Sequence, residues 1–350
     1  MPDRPKPGAG FQRAVRWAAA LAHGAAAPVN SRVPWRIRLA LSATLGLGLG
    51  WAAYLRGEGT DFSQVWFASR AWLAGQSPYA VIGPGRPFEW NFPFFYPLPA
   101  AIAMAPLALL PVRWADAVFM AIGAGCFAWA LMRFGYPPLL GLVSVSMFGA
   151  AGSVQWSPLL GASFVLAPLG LFAIAKPTIG AAMFVARPNR WTLVGGALLL
   201  AAAFASQPDW FTAWRSGFRP GLHFGVPVLQ RGGFVALLGL LRWRRPEARL
   251  LVALVCIPQT MLLYEALPLF LIPRTTGEAV VLLVASDAAQ VVLAYVSGGA
   301  LATAGAGLWL LYLAAALIVL RRPNEGAAPA WLEQRLARWP EWLRGAPAGD

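Results

Sequence analysis

Four long stretches of this chain contain almost no charged side chain, namely residues 39–54, 191–206, 279–296 and 298–320. A helix needs about 20 mostly apolar residues to cross the hydrocarbon core of a bilayer, and each stretch approaches that length. Only 12% of all residues are charged, against roughly a quarter in an ordinary soluble domain. These features exclude a water-soluble fold and predict an all-α polytopic membrane protein.

The basic residues are distributed in a way that is typical of a membrane protein. The formal net charge of +14 would suggest a nucleic-acid partner in a soluble protein. Here, however, the arginines cluster beside apolar runs, at residues 32–38, 187–190, 242–249 and 321–322. This is the pattern of the positive-inside rule, in which basic loops stay in the cytoplasm and contact anionic lipid headgroups. We expect a multi-pass protein of the inner (plasma) membrane, with membrane lipids and not nucleic acid as partners.

The same pattern divides the chain into three parts. Residues 1–37 form a cytoplasmic N-terminal segment, residues 38–322 a transmembrane domain, and residues 323–350 a cytoplasmic amphipathic tail. Within the transmembrane domain, we expect a first outer loop at 57–95 and a second at 207–230. The expected total is about 12 transmembrane or re-entrant helices, with both termini cytoplasmic.

The N-terminal segment admits two interpretations. Its arginines and alanine-rich run superficially resemble a cleavable signal peptide. Arg16 and His23 interrupt the apolar region, however, and Trp17 and Leu21 can share a helical face. An interfacial helix on the cytoplasmic surface is the better interpretation.

The count of crossings assigns a side to each turn. Residues 97–110 are expected to return to the inside, which places Arg113 there. The next crossing then puts the turn at 135–138 on the outside, and Gln155 falls on the inner side. Shorter apolar pieces between 139 and 186 predict broken or dipping helices.

Metal chemistry has no support in the sequence. The two cysteines, Cys126 and Cys256, lie in apolar segments, and the two histidines, His23 and His223, are far apart. Neither pair has the spacing of a metal site or a disulfide framework. We expect no metal and no cofactor.

Five carboxylates are predicted on the outer side: Glu58, Asp61, Glu89, Asp209 and Glu265. A carboxylate that meets a lipid-linked substrate at the interface can act as a general base, since partial burial raises its proton affinity. Asp61 is the best placed, beside the first span and before an aromatic-rich helix. An equally good alternative is a helix N-cap, which both Thr60 and Asp61 suit.

Lys176 is the only lysine after Lys6 and lies in an otherwise apolar stretch. It could bind an anion in a cavity, or its side chain could simply extend to the membrane interface. Position alone slightly favours the second.

The remaining acidic residues bear on transport. Asp287 is the only clearly mid-span carboxylate, which is thin support for a transport path. For Asp116, Glu247 and Glu278 we expect ion pairs with neighbouring arginines, such as Arg113, Arg245 and Arg274.

Several short motifs between residues 40 and 270 resemble one enzyme family. They are Asp61-Phe62, Gly75-Gln76-Ser77-Pro78-Tyr79, Phe95-Tyr96-Pro97-Leu98-Pro99, Gln155-Trp156-Ser157, Ala175-Lys176-Pro177 and Leu263-Tyr264-Glu265. Together they resemble the polyprenol-phosphate-mannose-dependent mannosyltransferases of the GT-C superfamily, in the family of the bacterial α-1,2-mannosyltransferases of phosphatidylinositol mannoside synthesis (glycosyltransferase family 87).

The resemblance implies a GT-C-type bundle and an inverting transfer of a sugar, most often mannose, from a polyprenyl-phosphate donor to a lipid or glycan acceptor on the outer face. Asp61 would be the general base, and Lys176 and Arg219 would bind the donor phosphate. The candidate substrate-binding residues that complete this site are Tyr79, Tyr96, Gln155, Asp209, Tyr264 and Glu265. The alternatives are a catalytically inactive GT-C-like partner protein and a lipid or glycan transporter.

Overall fold

The structure, a computed structural model, describes residues 33–217, 225–230, 232–260, 263–296, 305–326, 335 and 338–346. The predicted interfacial helix of the N-terminal segment and most of the amphipathic tail lie outside these residues. The described part is mostly helical, as predicted. Its one sheet pairs two short parallel strands, β1 (Ile82–Gly83) and β2 (Phe88–Glu89), within the segment 57–95 that was predicted as the first outer loop.

The α-helices follow one another in chain order as α1 (Trp35–Arg56), α2 (Asp61–Leu73), α3 (Pro78–Val81), α4 (Leu98–Met104), α5 (Val112–Leu131), α6 (Val145–Gly152), α7 (Ser157–Ala162), α8 (Pro177–Ala186), α9 (Arg190–Ser206), α10 (Trp210–Ser216), α11 (Pro246–Val255), α12 (Thr276–Val291), α13 (Gly305–Leu320) and α14 (Glu341–Arg344). Between them lie 3₁₀ helices at Leu107–Leu109, Met132–Phe134, Pro137–Val143, Ala167–Ala175, Pro227–Leu229, Gly233–Arg242 and Tyr264–Leu271, and a π-helical turn at Val292–Val296.

Helices α1 and α5 pack closely as an antiparallel pair. Glycines allow this approach: a Cβ atom on Gly46 would lie 2.6 Å from the carbonyl oxygen of Ala121, and one on Gly50 would lie 2.7 Å from that of Ala117. At one end of the pair, Arg38 Nε donates to the Trp129 carbonyl oxygen at 2.8 Å. We call this the Arg38 end, and the opposite end, where α1 stops and α2 begins, the Asp61 end.

Residues 97–110 do not cross back to the Arg38 end, so that prediction is wrong. Helix α4 has only seven residues, about 10 Å of length, because prolines at 97, 99, 106 and 111 interrupt the segment. Arg113, which follows it, lies 3.8 Å from Glu58 at the Asp61 end. Helix α5 then runs towards Arg38, so the turn at 135–138 lies at the Arg38 end and not opposite to it.

The region after this turn is built of short helices, as the sequence predicts. Three breaks between them bring the chain to the Asp61 end. They are residues 153–156 between α6 and α7, Lys176 between Ala167–Ala175 and α8, and the segment that leads into Tyr264–Leu271. Side chains from all three breaks meet there, as described below.

Few of the described helices are long enough to cross a membrane alone. Val112–Phe134 and Thr276–Ala294 have the required length and apolarity. A third candidate is Arg190–Ser206 with Trp210–Ser216, two helices that meet at a bend of 95°. These helices fit a membrane location, but among the described residues the bundle of about 12 spans is not confirmed. The second predicted outer loop, 207–230, contains α10.

The basic clusters gather at the Arg38 end. Arg322 pairs with Glu247 at 2.9 Å and with Glu278 at 2.7 Å. Arg245 also pairs with Glu247, at 3.3 Å, as the sequence predicts. Arg274 donates its backbone N–H, and not its guanidinium group, to Glu278 at 2.6 Å.

Two other carboxylates differ from expectation. Asp116 lies at the Asp61 end and accepts a hydrogen bond from Thr60 Oγ1 at 2.9 Å, so its expected pairing with Arg113 is wrong. Asp287 accepts a hydrogen bond from the backbone N–H of Val145 at 3.0 Å. Because this bond satisfies the first turn of α6, Asp287 has a structural partner and lends no support to a transport path.

Candidate functional site

Asp61 is the first residue of α2, and its carboxylate does not cap that helix. The N-cap is Thr60, whose Oγ1 accepts from the backbone N–H of Ser63 at 3.1 Å. Ser63 Oγ accepts in turn from the backbone N–H of Thr60 at 3.2 Å, which completes a capping box. The Asp61 side chain is therefore available for another role.

The Asp116 side chain contacts the two residues that form the capping box of α2. It is completely buried, and its Oδ2 accepts from the Thr60 hydroxyl at 2.9 Å and lies 3.5 Å from that of Ser63. One turn further along α5, the ring of Phe119 stacks on that of Phe62 at 4.1 Å. These contacts fix the position from which Asp61 projects.

Gln155 links Asp61 to the next candidate. Its buried side-chain amide donates to Asp61 Oδ2, and its Oε1 accepts from Lys176 Nζ at 2.7 Å. The backbone N–H of Asp61 also donates to the Ser153 carbonyl oxygen, at 3.1 Å. Gln155 therefore lies at the Asp61 end, which corrects its predicted place on the opposite side. The error follows from the wrong crossing at 97–110.

Lys176 continues the chain of contacts to Glu265. Its Nζ lies 3.9 Å from Glu265 Oε1. Glu265 Oε2 accepts from both the backbone N–H and the hydroxyl of Thr260, at 3.0 and 2.9 Å. The side chain of Lys176 is 14% exposed and that of Glu265 4%. Because its amine is bonded within the protein, Lys176 does not simply extend to the interface.

Three tyrosines lie next to Lys176 or to its neighbours. Lys176 Nζ lies 4.5 Å from the ring centroid of Tyr264 and 6.0 Å from that of Tyr96, within the range of cation–π attraction. Tyr79 does not contact Lys176 directly; its Oη donates to the carbonyl oxygen of Tyr96 at 3.2 Å. We call Asp61, Gln155, Lys176, Glu265, Tyr96 and Tyr264 the Asp61 cluster.

Other predicted residues are not in the cluster. Asp209 is exposed at the bend before α10. Glu58 pairs with Arg113, and Glu89 accepts from the backbone N–H of Gly85 at 3.3 Å. Arg219 lies outside the described residues. Of the five predicted outer carboxylates, only Asp61 and Glu265 are brought together.

Sequence reasoning missed the supporting roles of three residues, Ser63, Asp116 and Thr260. The spacing of Thr60 and Ser63 is that of a capping box, so this signal was readable in the sequence. Asp116 carries no such signal because its partners, Thr60 and Ser63, are distant in sequence. Thr260 carries none because its contact with Glu265 depends on the local path of the backbone. Between Thr260 and Glu265, Leu263 is a non-glycine residue with a positive φ of 53°.

The electrostatics of the cluster suit a proton acceptor. Burial raises the pKa of Asp61 above its ordinary value, while the charge of Lys176 and the hydrogen bond from Gln155 act in the opposite direction. The carboxylate thus has a stronger proton affinity than a free one, and Lys176 and Gln155 limit this increase. Among the described residues, no group of His, Cys, Asp and Glu side chains could hold a metal ion.

Comparisons with models of known families, with curated proteins and with solved structures find no match for this chain. The resemblance to GT-C mannosyltransferases therefore rests on the short motifs alone.

Proposed function

We propose that this protein is a membrane glycosyltransferase that moves a sugar, mannose in the first instance, from a polyprenyl-phosphate donor to a lipid or glycan acceptor. One observation carries the proposal. Three segments that are distant in sequence bring a base candidate, an amide and an ammonium group into one hydrogen-bonded line, Asp61–Gln155–Lys176. Such convergence around the ammonium group of Lys176, at the end opposite the basic clusters, favours a site for an anionic substrate.

The reaction assigns a role to each end of this line. Asp61 takes the proton of an acceptor hydroxyl, whose oxygen attacks the anomeric carbon of the donor sugar. The bond from that carbon to the phosphate oxygen breaks, and the electron pair leaves with the polyprenyl phosphate. Attack from the face opposite the phosphate inverts the anomeric configuration.

Lys176 has the capacity to stabilise the leaving phosphate. An ammonium group has three N–H donors, and one of them is used by Gln155. The separation of 3.9 Å from Glu265 is an ion pair but longer than a hydrogen bond. The amine can therefore donate to a phosphate oxygen while it keeps its bond to Gln155, which is the charge stabilisation that a phosphate leaving group requires.

A second candidate is a GT-C-like membrane protein without turnover, which serves as a partner in an assembly. The observation in its favour is that the cluster satisfies itself: Glu265 already has Lys176 and Thr260 as partners. A network of this kind can stabilise a fold without binding a substrate.

The experiment that separates the two candidates measures sugar transfer from polyprenyl-phosphate-mannose to native membrane lipids by purified protein in nanodiscs. Asp61→Asn keeps an acceptor for the Gln155 amide but removes the base, so we expect transfer to fall by at least about 10²-fold. The matched control is Asp209→Asn, the same change at an exposed carboxylate of the same end, which should leave the rate unaltered.

Equal transfer by wild type and Asp61→Asn would reject Asp61 as the base. Transfer by none of the three proteins, with each of them folded, would favour the second candidate.

A further inference from the structure

Two residues that border the Asp61 cluster share an unusual backbone geometry. Among the described residues, Val154 and Leu263 are the two non-glycine residues with a positive φ, at 50° and 53°. This left-handed conformation is rare for branched and bulky side chains, because the Cβ atom comes too close to the following carbonyl oxygen. Val154 directly precedes Gln155 of the Asp61 cluster. Leu263 directly precedes Tyr264 of the same cluster.

Val154 occupies a position that glycine usually fills. Helix α6 ends in a Schellman motif, in which the backbone N–H of Gln155 donates to the Ala150 carbonyl oxygen at 2.8 Å. The backbone N–H of Val154 donates to the carbonyl oxygen of Ala151 at 3.3 Å. The left-handed residue of this motif is usually glycine, which adopts a positive φ without a steric cost. Because valine stands there instead, the turn is strained, and surrounding contacts must maintain it.

Packing supplies those contacts at both positions. The side chains of Val154 and Leu263 are completely buried in the hydrophobic core. A residue that relaxed to a negative φ would move its side chain out of this closely packed position. Burial therefore holds each backbone in a conformation that its own side chain disfavours.

The turn at Val154 places two groups against Asp61. On one side of Val154, the Ser153 carbonyl oxygen accepts from the Asp61 backbone N–H at 3.1 Å. On the other side, the Gln155 side-chain amide donates to the Asp61 carboxylate. A change of φ at Val154 rotates one group relative to the other, so both contacts depend on its left-handed conformation.

The turn at Leu263 stands in the same relation to Lys176. The residues that follow it are Tyr264, whose ring centroid lies 4.5 Å from Lys176 Nζ, and Glu265, whose Oε1 lies 3.9 Å from it. On the preceding side, the Thr260 hydroxyl donates to Glu265 Oε2 at 2.9 Å. Groups from both sides of Leu263 thus meet at the carboxylate that pairs with Lys176.

We propose that Val154 and Leu263 are positioning residues, whose left-handed backbone, held by buried packing, keeps the Asp61 cluster assembled. The consequence for sugar transfer rests on the proposed function. The geometry itself does not, so it can be tested without the reaction. The competing explanation is that both side chains contribute packing alone.

The test compares Ala and Gly at position 154. Both variants lose the packing of the valine side chain. Val154→Ala retains the Cβ atom that opposes a positive φ, whereas Val154→Gly removes that opposition. We therefore expect Val154→Gly to unfold in detergent at a higher temperature than Val154→Ala. Packing alone predicts the opposite order, because Ala retains more of the buried side chain and restricts the unfolded chain more.

The matched control is Val319, which is also completely buried but belongs to helix α13. Gly is less favourable than Ala within a helix, so Val319→Gly should unfold at a lower temperature than Val319→Ala. The order of the two substitutions should thus reverse between the two sites. The same order at both sites would overturn the proposal.

Lys176 reports on the assembly of the cluster. The chain contains two lysines, Lys6 and Lys176, so lysine labelled with ¹³C at Cε gives two NMR signals, and Lys176→Met identifies which is which. We expect Val154→Ala and Leu263→Ala to shift the Lys176 signal, because the contacts of its amine loosen. The Gly variants at both positions, and Val319→Ala, should leave that signal at its wild-type position.

Sugar transfer supplies a further readout. A displacement of about 1 Å at a reacting group can cost about 10²-fold in rate, so we expect Val154→Ala to lower kcat by a factor of that order. Val154→Gly should retain most of the wild-type rate, although it removes more of the side chain.

The outcomes separate this proposal from the proposed function. A Lys176 signal that stays in place in both Ala variants would overturn the positioning role. So would Val154→Ala that transfers sugar at least as fast as Val154→Gly. Absence of transfer in the wild type, together with the reversed order of stability and a shifted Lys176 signal, would reject the proposed function and leave the positioning role intact.

Discussion

The two ends of the molecule use their charges in different ways. At the Arg38 end, guanidinium groups donate to backbone carbonyl oxygens where helices stop: Arg38 to Trp129, Arg249 to Ala186 at 3.1 Å, and Arg242 to Leu320 at 3.1 Å. Cations at these positions satisfy carbonyl groups that have no partner within the helix and complement the helix dipole. Every such bond ties a side chain to the backbone. Arg322 adds ion pairs with Glu247 and Glu278 at the same end.

At the Asp61 end, the central contacts join side chain to side chain and involve no arginine. Asp61, Gln155 and Lys176 form a line in which each group could exchange its partner for a ligand without any change in the backbone. We expect the arginine contacts at the Arg38 end to stabilise the fold. We expect the side-chain line at the Asp61 end to bind and act on a substrate. Each prediction below tests that division.

The largest expected effect is on stability, at the Arg38 end. Arg322→Met leaves both Glu247 and Glu278 without their closest cation, and the loss of one partner from a buried ion pair costs about 3 kcal/mol or more. Thermal unfolding in detergent should show a much lower midpoint. Transfer activity per folded molecule should be unchanged.

The comparison variant is Lys176→Met at the Asp61 end. Glu265 keeps its two bonds from Thr260, so we expect a smaller loss of stability and a far larger loss of transfer. The division between the ends fails if Arg322→Met impairs transfer per folded molecule as strongly as Lys176→Met does.

The sequence was sufficient for the class of fold and for part of the site. Apolar runs and arginine clusters predict a helical membrane protein. Lys176 stands out because an isolated cation in an apolar stretch needs a partner, and Asp61 and Glu265 stand out as carboxylates on the predicted outer side. The side of the membrane on which Gln155 lies was not readable, because one false crossing at 97–110 inverts every later turn. That segment contains helix-breaking prolines, although its apolar length resembles that of a short span.

Contacts between distant segments were equally inaccessible. Thr60 and Asp61 are equally suitable caps by residue type, and only the backbone geometry assigns the cap to Thr60. Asp116 looked like a partner for Arg113 because the two are neighbours in sequence. Residues three positions apart on a helix, such as Arg113 and Asp116, are close enough to pair. In the structure, however, the Asp116 carboxylate accepts a hydrogen bond from Thr60.

A second prediction concerns the pH dependence of transfer. A general base acts only when deprotonated, so the rate should rise with pH as Asp61 loses its proton and fall away below its pKa. The hydrogen bond from Gln155 lowers the pKa of Asp61 against the larger effect of burial. Gln155→Leu removes that bond, raises the pKa further, and should move the acid limb of kcat/KM to higher pH.

The control for this variant is Gln259→Leu. Gln259 is also buried, but its amide donates to the Leu254 carbonyl oxygen at 3.2 Å and not to Asp61. It should leave the acid limb in place, even if stability falls. An acid limb that stays in place in Gln155→Leu would show that another group governs the pH profile.

The smallest expected effect compares two helix caps, one at each end. Thr60 caps α2 at the Asp61 end, and Asn189 caps α9 at the Arg38 end, where its Oδ1 accepts from the backbone N–H of Thr192 at 3.1 Å. Replacement of either by Ala should cost about 1 kcal/mol of unfolding free energy. Only Thr60→Ala should also lower kcat, because the loss of its bonds to Ser63 and Asp116 frees the helix turn that carries Asp61. Equal kinetics in the two variants would mean that the capping box holds the fold but does not position the base.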